Sequence, residues 1–166
     1  TGGTFEYKLD GGEWTTDVPT AKDAGEYTVW YRVIGDRNHN DIDEQQIIVT
    51  VAKAAAPAVT EGALTIINNV NDTYNFDLST LLPKLTSPLE YGTISYGRPV
   101  TELGVGTFVT RIDGTTGELT LEVSNRSDNT TGAIGTIIVP VTTDNYEDIT
   151  LIINVDAKNR STSHSG

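Results

Sequence analysis

The chain has no cysteine and no methionine, only 2 tryptophans and 3 phenylalanines, and 11 basic residues against 23 acidic ones. Without cysteine there is no disulfide frame, no thiolate nucleophile and no thiolate metal site. The shortage of basic residues leaves a formal net charge of −12, which repels phosphate backbones and anionic lipid. Nucleic acid is therefore not expected as a partner. Membrane insertion is not expected either, because no apolar run approaches the ~20 residues that span a bilayer. No charged-then-apolar leader is present, and with no methionine the sequence is expected to come from inside a longer chain.

Thr, Gly, Asp and Asn fill the space that apolar residues leave. β-Branched Thr suits a pleated surface, and the other three make turns, so many short strands are expected and long helices are not. Only Ser79–Leu85 and Ala54–Ala56 have a trace of helical composition. The clearest break is Ala52-Lys53-Ala54-Ala55-Ala56-Pro57-Ala58, where Pro57 stops a strand ladder from continuing. Residues 54–58 read as a short linker between a first domain, 1–53, and a second, 59–158; residues 159–166 read as a polar tail.

In the first domain Phe5, Tyr7 and Leu9 alternate with Glu6 and Lys8, and Asp10-Gly11-Gly12 turns the chain into Glu13-Trp14-Thr15. That is a hairpin signal. Tyr27, Val29, Tyr31 and Val33 share one face of a second run. After a polar loop from Asp36 to Asp43, a closing strand spans Gln45–Ala52. The count is about four strands, few for an independent sandwich.

In the second domain strands are expected near Ala63–Val70, Thr73–Leu78, Tyr91–Tyr96, Thr107–Ile112, Glu118–Val123, Gly135–Thr142 and Ile149–Val155. About seven short strands separated by turn residues read as a β-sandwich. Its inward set is expected to be Leu119, Leu121, Val123, Ile137, Val139, Val141, Leu151, Ile153 and Val155.

The stretch Asp23-Ala24-Gly25-Glu26-Tyr27 enters a long strand with the residues a tyrosine corner needs. Gly25 permits the bend, and the Tyr27 hydroxyl can reach a backbone group a few residues upstream. Asp23, Gly25 and Tyr27 are thus expected to be structural.

Residues 3–54 carry Gly-Thr-Phe-Glu-Tyr-Lys-Leu-Asp-Gly-Gly-Glu-Trp, then Pro19-Thr20-Ala21-Lys22-Asp23-Ala24-Gly25. Gly35-Asp36-Arg37-Asn38-His39-Asn40-Asp41 and Val51-Ala52-Lys53-Ala54 follow. In wording and order they resemble the bacterial immunoglobulin-like tandem repeat of Gram-positive extracellular proteins. The family unit normally opens with further strands that are absent here, so the first domain resembles a truncated copy. Residues 57–158 look like a companion module by a looser match, through Tyr74-Asn75-Phe76-Asp77-Leu78-Ser79-Thr80-Leu81-Leu82-Pro83, Thr116-Gly117-Glu118-Leu119-Thr120 and Asn145-Tyr146-Glu147-Asp148-Ile149-Thr150.

The expected fold class is all-β, tandem immunoglobulin-like sandwich modules, the first partial and the second complete. The resemblance implies a non-catalytic spacer, stalk or adhesion module at a bacterial cell surface or cell wall, flanked by neighbouring repeats of the same chain. The alternative is a recognition module that binds a host protein, immunoglobulin included, or a glycan. An acidic, Thr/Asn-rich β chain without cysteine fits the same extracellular, Gram-positive setting.

Candidate sites are few. Asp36, Asn38, Asn40, Asp41 and Asp43 place oxygens at near-alternate positions, as a calcium loop begins. Asp41 stands where such a loop needs Gly, however, and Ile47 where it needs Glu, while tight loops use the same residues for their own backbone. Trp14 and Trp30 are the candidates for stacking on sugar rings, against the plainer expectation that they pack. Trp30 is expected on the face opposite Tyr27, Val29 and Tyr31. The histidines, His39 and His164, form no pair with zinc spacing, and acidic pairs such as Glu147/Asp148 follow from composition; no enzyme and no cofactor is expected, calcium at the Asp36–Asp43 loop being the one candidate. A Lys84–Asn154 isopeptide link lacks a strand-borne amine.

Overall fold

β-Branched and aromatic side chains at every second position hold most of this backbone extended. The computed structural model describes residues 3–37 and 40–161, and its regular structure is almost wholly β. It divides into two units, Thr1–Ala54 and Ala55–Gly166.

The first unit is one antiparallel sheet in the order β1 (Gly3–Leu9), β2 (Gly25–Gly35), β3 (Ile42–Val51). Tyr7 lies opposite Tyr31, and Val29 opposite Ile47, so the alternating apolar sets of all three strands share a face. The expected fourth strand at Glu13–Thr15 does not form. Tyr7 and Thr15 exchange backbone bonds of 2.7 and 2.9 Å, and the pairing ends there. The Asp17 amide then donates to Thr15 Oγ1, and Pro19, which has no N–H, follows in the segment that leads away to β2. β3 begins at Ile42, earlier than expected, because a bulge between Tyr31 and Val33 brings Ile42 opposite Val33. Among the described residues of this unit none is buried.

The second unit has two sheets. One contains β4 (Gly62–Ile67), β11 (Ile149–Lys158), β10 (Gly132–Thr143) and β6 (Ile94–Tyr96), with β7 (Val100–Leu103) also on β10. The other is β5 (Asp72–Asp77), β9 (Glu118–Ser124), β8 (Thr107–Ile112). β4 pairs parallel with β11, and the other pairings are antiparallel. Leu119, Leu121 and Val123 from one sheet share a core with Ile137, Val139, Val141, Leu151, Ile153 and Val155 from the other. The helical trace at Ser79–Leu85 is a single 3-10 turn, Leu78–Leu81, capped by the Asp77 carboxylate on the Ser79 amide. Leu78 and Leu81 enter the core.

Two expected strands are shorter than their sequence pattern suggests, and one strand is new. β4 stops at Ile67, because Asn69 takes a left-handed φ of 61° and turns the chain. β6 starts only at Ile94, because the Asp144 carboxylate takes the Thr93 amide at 2.7 Å and the Tyr91 hydroxyl ties the preceding loop to the Pro83 carbonyl. β7 was not expected at all. It lies beyond a gap at 97–99, opposite the part of β10 that carries Pro140. A proline lacks the ladder donor, so the neighbouring strand breaks there, and the Pro140 carbonyl accepts from the Gly97 amide at 2.7 Å. Pairing resumes with Val100 opposite Ile138 and runs to Gly135, whose φ of 149° lets β10 approach Glu102; a methyl group at 135 would collide with the Glu102 carbonyl.

Candidate functional site

Strand alternation in the first unit produces two unlike faces. One carries Glu6 and Lys8 of β1 beside Trp30 and Arg32 of β2. Arg32 bonds Glu6 at 2.8 Å, and its guanidinium carbon lies 4.1 Å from the centre of the Trp14 ring; the Lys8 ammonium lies 5.0 Å from it. Trp14 is thus ringed by cations that its π-face attracts. The Trp30 indole N–H donates to the Asp10 carboxylate at 3.2 Å. Trp14 and Trp30 do come onto one face, each half-buried and each engaged with its own strand neighbours.

The other face carries Tyr7, Leu9, Tyr27, Val29, Tyr31, Ile47, Val49 and Val51. Together with Val18–Ala21 it encloses an apolar groove of about 310 Å³. Phe5 stacks on Tyr7 beside it, with ring centres 6.2 Å apart. At its end the Tyr27 hydroxyl donates to the Asp23 carbonyl at 2.8 Å, and Gly25 sits at φ 147°, a conformation that side-chain-bearing residues rarely adopt. Asp23, Gly25 and Tyr27 therefore form a closed corner.

The oxygen-rich loop is only partly in view. Asn38 and His39 lie outside the described residues. Asp41 accepts the Gly35 amide at 2.6 Å, bridging the base of the loop, and Asp43 belongs to β3 instead of the loop. Among the described residues no group of three or more His, Cys, Asp or Glu is gathered as a metal would need. The expected tail falls largely at 162–166, His164 included, outside the described residues.

The second unit holds a polar node that the sequence pattern did not reveal. Arg126 is 4% exposed. Its Nε donates to Asn68 Oδ1 at 2.8 Å, one Nη donates to the Val105 carbonyl at 2.6 Å, and the other lies 3.7 Å from Asp128. The Asn68 amide nitrogen in turn reaches the Thr130 carbonyl and Asn159 Oδ1, both at 2.9 Å. One buried cation therefore joins the β4–β5 turn, the loop before β8, the β9–β10 loop and the end of β11. Its only sequence signal is a lone Arg in an Asn/Asp/Thr-rich turn.

Elsewhere in this unit, Asn154 donates to Glu61 at 2.9 Å. Asp113 takes the amides of Thr115 and Thr116 at 2.9 Å, and these bonds hold its carboxyl below the usual range. The Thr130 hydroxyl and amide do the same for Asp128. Burial pushes the phenols of Tyr91 and Tyr96 up, with Tyr146 adding to the first and Asp77 to the second. An open groove of about 610 Å³ runs past Tyr96, Arg98, Thr101, Phe108 and Thr110.

No family model and no curated protein matches the chain. Among solved structures it is similar to the endo-fucoidan hydrolase MfFcnA4 from glycoside hydrolase family 107, at 15% identity with a TM-score of 0.39 over 86% of this chain and 20% of that one. A variant of that enzyme matches at 16% identity and a TM-score of 0.39, over 97% of this chain and 23% of the other. The chain thus spans about a fifth of those enzymes' length. Likeness at this level assigns neither fold family nor chemistry.

Proposed function

We propose that this chain is a non-catalytic structural or adhesive segment of a bacterial cell-surface protein, built from immunoglobulin-like modules in tandem, the first of them partial. One observation carries the reading. The side chains best equipped for chemistry or stacking are engaged in holding loops and strands: Arg126 in its four-way node, Asp113 and Asp144 on loop amides, Tyr27 on Asp23, Trp14 under Arg32, and Trp30 on Asp10. Groups arranged this way rigidify a module, and rigidity is what a spacer in a string of neighbouring repeats requires. The resemblance of residues 3–54 to a surface repeat, and the break at Ala54–Ala58 between two β units, support the same reading.

A direct test incubates the whole chain with host and microbial polysaccharides and serum proteins, following both reducing-end release and binding. The spacer reading expects no turnover. Turnover lost on changing a single carboxylate would sink it. Saturable glycan binding lost in Trp30→Ala would move the chain to the recognition class.

A further inference from the structure

Two hydroxyls share the inward faces of the second unit's otherwise apolar sandwich. Thr101 of β7 lies opposite Ile137, and Thr110 of β8 lies opposite Leu121. Both partners are fully buried, and residues paired across a ladder point to the same side of the sheet. The two threonines therefore face the space between the sheets. Each is half-buried, and neither hydroxyl has a hydrogen-bond partner among the described residues. They stay uncovered because β8 is the last strand of its sheet and β7 lies on the side of β10 away from β11. The groove of about 610 Å³ opens between them.

Arg98 stands at the rim of this groove, exposed and with no ion pair or side-chain hydrogen bond among the described residues. The backbone that carries it is restrained on both sides. The Gly97 amide is held on the Pro140 carbonyl at 2.7 Å, and Pro99 has a fixed φ. None of the ten residues that line the groove is acidic, in a chain with 23 acidic residues. Glu102 falls on the outer face by alternation, and the Asp113 carboxylate is turned onto the amides of Thr115 and Thr116. An unpaired guanidinium fork matches a carboxylate, hydroxyls that both donate and accept match other hydroxyls, and the half-buried Phe108 ring matches an apolar C–H face. A hexuronate sugar carries all three. A neutral sugar would leave the guanidinium unpaired, and a simple fatty acid would leave the threonine hydroxyls unused.

We infer that the groove between β7 and β8 binds a hexuronate-bearing saccharide, with Arg98 on the carboxylate, Thr101 and Thr110 on ring hydroxyls, and Phe108 against the C–H face. Its volume falls within the roughly 300–1,000 Å³ of small-ligand sites. The chain as a whole repels anions at its net charge of −12, so attraction at this place has to come from the local cation. The site uses neither tryptophan of the first unit and does not depend on the surface-module reading.

Isothermal titration calorimetry of the full chain with digalacturonate reads the site, with the matching neutral digalactose and hexanoate as controls. Digalacturonate is expected to bind with a Kd of about 0.1–1 mM, and each control at least about tenfold more weakly. Arg98 is exposed and unpaired, so Arg98→Ala is expected to keep the melting temperature while weakening binding at least about tenfold. Arg98→Lys keeps the charge but loses the fork, and its affinity is expected to fall between the two. Thr101→Val combined with Thr110→Val preserves the shape of the groove and is expected to weaken binding about fivefold. Amide NMR shifts are expected to move over 97–101 and 107–112, and Trp30→Ala is expected to leave the affinity unchanged. A chain that does not take up digalacturonate at about 10 mM overturns the inference, as does binding indifferent to Arg98→Ala. A control that binds as tightly also overturns it, and so does binding abolished by Trp30→Ala, which would place the site in the first unit.

Discussion

Leu151 and Ile47 are the same kind of residue in the same kind of place, an aliphatic side chain on the apolar face of a ten-residue strand. Leu151 is fully buried, while Ile47 is 51% exposed. The difference lies in what stands opposite. In the second unit β5, β9 and β8 present Phe76, Leu119, Leu121 and Phe108 to the sheet that carries Leu151. Among the described residues of the first unit, what faces the apolar side is the connection through Val18, Pro19 and Ala21. One unit closes its apolar face with a second sheet. The other leaves a groove and an open edge, so its stability rests on hydrogen bonds, corner contacts and the cation-flanked tryptophan.

Truncation should separate the two units most sharply. Leu151→Ala removes a buried side chain from a packed core and is expected to cost about 3 kcal/mol, lowering the melting temperature of the second unit by about 10 °C or more. Ile47→Ala is expected to cost about 0.5 kcal/mol or less in the first unit. Calorimetry of the whole chain checks both. Equal losses would mean that the face bearing Ile47 is covered in solution, and the contrast between the units would collapse.

The buried cation gives the next largest effect. Arg126→Ala leaves Asn68 Oδ1 and the Val105 carbonyl without their donor and is expected to cost the second unit about 2 kcal/mol. The first unit's transition should not move. Hydrogen exchange should show the β4–β5 turn and the β9–β10 loop opening together, since Asn68 and Asn69 tie one to the other.

How much of this was legible in the sequence follows from the range of each interaction. Alternation is local, so it located the strands, and all nine side chains assigned inward in the second unit are buried. The residues of the tyrosine corner lie within five positions, so that motif could be read as a unit. What lies over an apolar face is not local. Phe5, Tyr7 and Leu9 alternate as clearly as Leu119, Leu121 and Val123, and nothing in either pattern says that only the second set meets another sheet. β7 escaped because Gly97-Arg98-Pro99 reads as a loop and the four residues beyond it are too short a period to register; the matching break, Pro140, lies some forty residues away. The Arg126 node escaped for the same reason, since its partner Asn68 is 58 positions distant.

A smaller effect should appear in the first unit alone. Tyr27→Phe keeps the ring in the groove and deletes the bond to the Asp23 carbonyl, at an expected cost of about 1 kcal/mol to the first transition and none to the second. Gly25→Ala, forced into φ 147°, should cost more than Tyr27→Phe if the bend matters more than the bond that closes it. The reverse order would place the corner's contribution in the hydroxyl.

The slightest effect is one of pH, and it too should divide the units. Asp113 and Asp128 are held below the usual carboxylate range by amide and hydroxyl donors within their own turns. Their pKa values are lower folded than unfolded, so in that interval the unfolded chain binds more protons. The contribution is therefore present above the unfolded value and is lost as pH falls through the folded one, below about pH 4. Tyr91 and Tyr96 run the opposite way. Their phenols are raised by burial, so their contribution is complete at neutral pH and is lost as pH rises past about 10. All four residues belong to the second unit, whose melting temperature should accordingly fall at both extremes. In Asp113→Asn the acid arm should flatten while the alkaline arm keeps its position, as read from melting temperature against pH. Asp113 is exposed, whereas the Asp128 side chain is 24% exposed, and solvent screens what Asp113 contributes, so the flattening should be small. An acid arm unchanged by Asp113→Asn would mean that these turns exchange their bonds for water at no cost, leaving the second unit's advantage to its core alone.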